Sequence, residues 1–332
     1  MKGFRDIIGQ ERSIKHIRDA VRTGHAAHAY ILDGEKGMGK KTLAAAFAKA
    51  LQCEKPVEER EDGEPCGVCH SCIMADSGSH PDIINVTHEK AGSISVDEIR
   101  TQVVNDVQIK PYSSKRKIYI IPDACLMTQE AQNALLKTLE EPPSYITIFL
   151  LADNKEMLLP TIVSRAVCLS MRALGTEDIV SYLQREKGLP PHETETAASF
   201  ARGNLGKALL LTESEDFSLL FEEVMRVLSG VREMSDVMIS GAASEAASYK
   251  EKRDDYLEIL LLWFRDVLYL KSGGDPEKAV FKNRLYETEA SAEQYSYEQL
   301  GCIIEAIKTA GSRLKSNVNP EYTYEMLFAA MR

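Results

Sequence analysis

The fold of this chain is decided by residues 29–40, which read AYILDGEKGMGK. The apolar run at 29–32 predicts a buried β-strand, and the apolar spacing over 41–51 predicts a helix. Between them lies a turn rich in glycine. Strand, glycine-rich turn and helix in this order are typical of a phosphate-binding loop, in which backbone N–H groups and a helix N-terminus surround phosphates.

The predicted loop carries one essential cation and one defect. Lys40 would reach the β- and γ-phosphates of a nucleotide. The next position normally holds a Ser or Thr that binds Mg²⁺, but here it is Lys41, which has only hydrogen-bond donors. Thr42 comes one place late. We therefore expect ATP or ADP binding without Mg²⁺-assisted hydrolysis, the alternative being a glycine-rich turn that binds nothing. The nucleotide-binding candidates are Gly34, Gly37, Gly39, Lys40, Lys41 and Thr42.

A second defect follows a later apolar run, 118–121, which leads into Pro122 and Asp123. An ATPase of this type needs a carboxylate for the metal and a second group that orients the attacking water at the end of such a strand. Proline offers no ligand, and Asp123 is shorter than the glutamate expected there. The two defects agree and predict a chain that does not hydrolyse ATP by itself.

Four of the seven cysteines crowd into 53–72, with the spacing Cys53-x12-Cys66-x2-Cys69-x2-Cys72. Four thiolates match a closed, structural zinc site with no open coordination position. An iron–sulfur cluster is the second interpretation of these cysteines, although the bacterial cluster motif would place a cysteine at position 76, where Asp76 stands. Unligated thiols are the third. We expect structural zinc.

Short apolar runs alternate with helical segments throughout the first half of the chain. This alternation predicts an α/β domain with a mainly parallel sheet. Beyond residue 171 the pattern is helical. We place boundaries near 170 and 213, giving domains 1–170, 171–213 and 214–332. The further predicted strands are 82–86, 117–121, 145–151 and 166–171, and the predicted helices include 96–107, 128–140, 176–185, 192–202, 205–212 and 256–270.

The charge balance and the lengths of the apolar runs argue against two classes of protein, those that bind nucleic acid by charge alone and those that span a membrane. The 332 residues include 40 basic and 50 acidic side chains, a net charge of -10. This balance argues against a protein that binds nucleic acid by charge alone. No apolar run approaches the ~20 residues that span a bilayer, and the first residues lack the apolar core of an export signal. We expect a cytoplasmic protein without a membrane partner.

Residues 133–143, which read NALLKTLEEPP, closely resemble a signature of bacterial clamp-loader subunits, an AAA+ family. Residues 4–10, FRDIIGQ, resemble it too, as do Ser164-Arg165 and the cysteine insertion. The resemblance implies an AAA+ P-loop domain with a zinc module at 53–72, a small three-helix lid at 171–213 and an all-α collar at 214–332. It also implies a part in loading a sliding clamp on primed DNA.

The resemblance further implies a role within a hetero-pentamer. The family's ATP-hydrolysing motor, gamma/tau, carries an arginine in a Gly-Ser-x-Arg motif, and the matching stretch here is Gly203–Gly206 without one. These departures favour a non-hydrolysing subunit.

The implied partners are gamma/tau and delta subunits, with the sliding clamp and primer–template DNA reached through the complex. Arg165 would be an arginine finger that acts in trans on a neighbouring gamma/tau ATP site; the alternative is a surface or capping arginine that closes the strand. An active gamma/tau-like ATPase, with Thr42 or Asp123 binding the metal, is the second functional reading. A zinc-dependent nucleic-acid binder is the third.

Overall fold

Apolar runs in the first half of the chain form one parallel sheet. The structure is a computed structural model that describes residues 3–90, 92–316 and 318–332. The strands are β1 (Ala29–Asp33), β2 (Ile83–Asn85), β3 (Lys117–Ile121), β4 (Ile146–Ala152) and β5 (Val167–Ser170). They lie in the order β2-β3-β4-β1-β5, and each neighbouring pair is parallel, so the predicted α/β fold is confirmed.

The register of the sheet decides which loops meet. Strand β1 lies between β4 and β5, and Asp33 at its end is opposite Ala152 at the end of β4. Because carboxyl ends of parallel strands share one edge of a sheet, the residues that follow β1 and β4 lie side by side. These residues are Gly34 and Asp153.

The helices around this sheet include three that the sequence patterns did not predict, at Glu11–Thr23, His70–Ser77 and Pro160–Val163. Helix α2 (Lys40–Gln52) shares a buried apolar core with the sheet, and Phe47 from this helix contacts Tyr30 and Phe149 with ring centroids 5.1 and 5.2 Å away. These helices are α1 (Glu11–Thr23), α2 (Lys40–Gln52), α3 (His70–Ser77), α4 (Val96–Ile99), α5 (Gln129–Glu140) and α6 (Pro160–Val163).

The predicted helix over 96–107 is not continuous. It begins as α4, widens into a π-turn at Arg100–Val104 and ends in a 3₁₀ turn at 106–108. The buried residues of this segment, Ile99, Val103 and Val107, recur every fourth position. In an α-helix such positions drift by about 40° per step. The wider turn drifts in the opposite direction, so it offsets this drift and keeps the three side chains on the core.

After β5 the described residues are helical and contain no further strand, as predicted. The helices are α7 (Thr176–Lys187), α8 (Pro191–Ala201), α9 (Leu205–Glu213), α10 (Glu215–Gly230), α11 (Asp236–Ser248), α12 (Arg253–Lys271), α13 (Leu285–Gln294), α14 (Tyr297–Lys315) and α15 (Pro320–Met331). Trp263 and Phe264 on α12 are buried in the core of these helices. In the described parts of the chain, every helix is too short or too polar to cross a membrane.

Contacts divide the chain into two units. The first holds the sheet, residues up to Gly175 and the short segment Asn204–Gly206. The second holds Thr176–Gly203 and Lys207–Arg332. The predicted further separation into a lid at 171–213 and a collar at 214–332 stays a prediction.

Candidate nucleotide and metal sites

The glycine-rich loop connects β1 to α2 with the backbone geometry of a phosphate cradle. Gly37 and Gly39 have φ angles of 93° and 87°, a left-handed region that favours glycine. Gly39 is the N-cap of α2, so Lys40 is the first residue of that helix. Lys41 is exposed and Thr42 is half-buried. The loop thus turns the N-terminus of α2 toward the carboxyl edge of the sheet.

The ammonium group of Lys40 is fully engaged within the chain. The residue is only 8% exposed. Its Nζ donates hydrogen bonds to the carbonyl oxygens of Gly34 and Glu35, and to Oδ1 of Asp153 at 2.6 Å. A lysine ammonium has three donors. The structure therefore gives each of them an acceptor from the protein.

The segment Asn204–Gly206 packs directly on this loop. The side-chain amide of Asn204 donates to the carbonyl oxygen of Lys36 at 2.8 Å. The backbone N–H of Gly206 donates to the carbonyl oxygen of Gly37 at 3.1 Å. A Cβ on Gly206 would lie 2.5 Å from the Cα of Gly37, so only glycine permits this approach. These three residues belong to the stretch Gly203–Gly206 that matches the motor's arginine motif, and none of them is charged.

The position predicted to lack a metal ligand lies at the end of β3. Pro122 follows this strand directly, and Asp123 has a left-handed φ of 47° and is exposed at the start of a 3₁₀ turn. Strand β4 lies between β3 and β1, so Asp123 stands one strand further from the loop than Asp153 does. Neither Lys41 nor Pro122 has a side-chain oxygen to offer Mg²⁺.

Arg165 lies just after α6, on the surface of the first unit. Its guanidinium donates to the carbonyl oxygen of Thr161 at 2.9 Å and forms an ion pair with Oε1 of Glu140, also at 2.9 Å. The two charged side chains are 35% and 49% exposed. Ion pairs at such exposure contribute about 0–1 kcal/mol, so Glu140 orients Arg165 without holding it firmly.

The structure brings the four predicted ligands Cys53, Cys66, Cys69 and Cys72 together. Their sulfurs all lie within 4.8 Å of one another, and those of Cys66 and Cys72 are 4.0 Å apart. Thiolates around one tetrahedral zinc ion are separated by about 3.8 Å, given Zn–S bonds near 2.3 Å. The cluster therefore fits a single metal ion, and it is tighter than a multi-iron cluster requires.

Backbone N–H groups already face these sulfurs. The N–H groups of Cys66, Cys69 and Cys72 donate to the sulfur of the preceding cysteine of the set, at 3.3–3.4 Å. A hydrogen bond from the Cys72 thiol lowers the pKa of Cys53 to about 4, and the same bond raises the pKa of Cys72. Donors directed at sulfur stabilise thiolates, the form that binds metal.

Ion pairs fasten the cysteine module (residues 53–72), together with helix α3 that begins within it, to the helices α1 and α2. Lys49 on α2 is buried and pairs with Asp76 on α3 at 2.6 Å. Arg18 on α1 pairs with Asp62 and Glu64 of the insertion, each at 2.7 Å. The cysteines are thus held between two helices of the first unit, of which α2 starts at the phosphate loop.

The roles of Asp153 and Glu140 and the direct contact of residues 204–206 with the loop were not predicted from the sequence. Asp153 could have been found, because it follows an apolar strand whose end must meet the end of β1 if the two strands are neighbours. The partner of Arg165 and the approach of Gly206 involve distant segments of chain, and no local pattern indicates them.

Comparison with known proteins decides the family. A family model described as "DNA polymerase III, delta subunit" matches residues 9–175. The chain belongs to this family. Together with the parallel sheet and the phosphate loop after its first strand, this membership confirms the predicted AAA+ fold class and the clamp-loader resemblance.

Individual relatives include two kinds of subunit. The chain is 29% identical to DNA polymerase III subunit delta′ of Bacillus subtilis over 96% of its own length and 94% of that protein. It is 30% identical to subunit tau of the same organism over 97% of its length, but it spans only 60% of tau. It spans 32% of the Escherichia coli tau subunit at 32% identity.

A solved structure of a DNA polymerase III gamma subunit-related protein from Thermotoga maritima is also similar. It covers 98% of this chain and 99% of its own, with 20% identity and a TM-score of 0.44.

Proposed function

We propose that this chain is the delta-prime subunit of a DNA polymerase III clamp loader, a non-hydrolysing subunit that helps to load the sliding clamp on primed DNA. The observation that carries the proposal is the lack of a side-chain oxygen ligand at both positions where an ATPase of this type would bind its metal, Lys41 and Pro122. The similarity to the delta′ relative supports it, because the two proteins match over nearly their whole lengths.

In this proposal Arg165 acts on the ATP of a neighbouring gamma/tau subunit. A guanidinium presents paired donors to γ-phosphate oxygens and offsets the charge that develops in phosphoryl transfer. An arginine finger raises the rate of phosphoryl transfer by a factor of about 10³–10⁵. The partial exposure of Arg165 and its weak tie to Glu140 suit a side chain that changes partners on assembly.

We also propose that Cys53, Cys66, Cys69 and Cys72 hold one structural zinc ion. When bound, the ion would cross-link the end of α2 to the start of α3 and supply no open position for catalysis. The N–H groups directed at the sulfurs support this assignment.

The proposed partners are gamma/tau and delta subunits in a hetero-pentamer that works in the cytoplasm. The sliding clamp and primer–template DNA would be reached through that complex. The net charge of -10 supports a secondary role in direct DNA contact, limited to backbone phosphates.

An active, gamma/tau-like motor is the second candidate, favoured by the similarity to tau. ATP turnover of the purified chain, alone and reconstituted with gamma/tau and delta, separates the two. We expect no hydrolysis by the chain alone and full assembly of the complex. Mg²⁺-dependent hydrolysis by the chain alone that disappears in Lys40→Ala would establish the motor instead. Failure to assemble would exclude both candidates.

A further inference from the structure

We infer that Asp153 determines whether this chain binds nucleotide: its carboxylate occupies the ammonium of Lys40 in place of a phosphate. ATP or ADP would then bind only when this ion pair opens. The inference deepens the proposed non-hydrolysing role, on which it rests in part. It assigns a specificity-determining function to a residue outside the predicted loop.

Sheet register places the carboxylate at the loop. Because Asp33 and Ala152 are paired, Asp153 leaves the sheet beside Gly34. The segment after β4 is held there, since Oδ1 of Asp33 accepts the N–H of Lys155 at 2.9 Å. The approach of Asp153 to Lys40 therefore follows from two neighbouring strands rather than from a free loop.

The contacts of Lys40 leave no donor for a ligand. Two of its hydrogen bonds go to loop carbonyls, and the third goes to the charged oxygen of Asp153. A phosphate would have to replace that carboxylate, and the displaced charge would remain close by and repel it. The lysine is buried while Asp153 is 47% exposed, so the carboxylate can reach water when the pair opens.

The cradle itself is formed. Gly37 and Gly39 keep positive φ angles, and Asn204 and Gly206 hold the loop carbonyls of Lys36 and Gly37. Removing the competing carboxylate should therefore reveal a binding site rather than leave a collapsed loop. If the closed pair is about 90% populated or more, apparent affinity is reduced at least about tenfold relative to the open state.

The test is calorimetric titration of the full-length chain with ATP and with ADP, each in Mg²⁺ and in EDTA. We expect Asp153→Asn to bind at least about tenfold more tightly than the natural chain. Adding Lys40→Ala to this variant should abolish the gain in nucleotide affinity. Glu156→Gln removes one negative charge from the same exposed segment without touching Lys40, so it should bind like the natural chain.

Unchanged affinity in Asp153→Asn would overturn the inference. Weaker affinity confined to Mg²⁺ would also overturn it, because Asp153 would then be a metal ligand. Asp153→Ser provides a second variant without the carboxylate, and thermal unfolding of both variants verifies that they are folded. The titration uses the chain alone, so its result is independent of whether Arg165 acts on a neighbouring subunit.

Discussion

Asp82 illustrates how one buried carboxylate organises backbone in the first unit. It lies next to β2 and accepts N–H groups from Tyr112, Ser113 and Ser114 at 2.6–2.9 Å. Burial by itself raises the pKa of this carboxyl, but the hydrogen bonds outweigh burial and the pKa lies below its ordinary value. The charged form is thus favoured by folding, and the loop before β3 is fixed on it.

Asp82→Asn should lower the free energy of unfolding at neutral pH by about 1–3 kcal/mol, because backbone donors lose a charged acceptor. Since the folded-state pKa is lowered, this stabilisation is present above the unfolded pKa of about 3.9 and is lost as pH falls through the folded value. Urea unfolding measured at pH 7 and at about pH 3 checks both points. Asp97→Asn, at an exposed ion pair, is the control. Equal stability of Asp82→Asn and the natural chain at pH 7 would contradict the account.

The cysteine module joins the end of helix α2 to helix α3. We expect about one zinc per purified chain by elemental analysis. Cys66→Ser should lose the metal and more than about 2 kcal/mol of stability, because loss of a bound metal belongs to the strongly destabilising changes. Cys302→Ser changes an exposed cysteine on α14 and should lose neither. Iron in place of zinc, or an unchanged metal content in Cys66→Ser, would contradict the assignment.

The start of α9 depends on the close approach of Gly206 to Gly37. Gly206→Ala would place a Cβ 2.5 Å from a backbone atom, so the segment must shift. We expect a loss of about 1–3 kcal/mol in the free energy of unfolding, as for other overpacked sites. The matched control is Gly241→Ala in the middle of α11, where a Cβ meets nothing within 4 Å. That change should stabilise the chain by about 0.5–1 kcal/mol through helix propensity.

Hydrogen exchange provides an independent reading of the same contact. In Gly206→Ala, the amides of the phosphate loop at 34–39 should exchange faster than in the natural chain. Unaltered exchange there would mean that Asn204–Gly206 does not support the loop.

For the whole molecule, local patterns in the sequence predict the sheet well. The apolar run at 146–152 and the turn at 34–39 place β4, β1 and the phosphate loop to within a residue, because burial on both faces leaves a continuous apolar signature. The cysteine spacing likewise predicts a cluster that the structure forms. These features depend on residues close together along the chain.

Pairings across the fold could not be predicted in the same way. The contact of Lys40 with Asp153 joins residues that are 113 positions apart, and that of Lys36 with Asn204 joins residues 168 apart. Neither contact can be predicted from the spacing of apolar residues along a single segment. The widened turn at 100–104 was missed because a four-residue spacing fits an α-helix and a π-turn almost equally well. Long-range strand register, rather than a local motif, brings Asp153 to Lys40 at the phosphate loop.

The most direct test of the proposed function is ATP turnover by the reconstituted loader, stimulated by DNA and clamp, with the natural chain or Arg165→Ala. We expect turnover to fall while assembly is intact, by about 10³-fold or more at the site that Arg165 serves. Arg165→Lys is the matched control: it keeps the charge but not the paired donors, so it should restore only a small part of the rate. Unchanged turnover by an intact Arg165→Ala complex would contradict the trans-acting role and leave the chain a structural subunit.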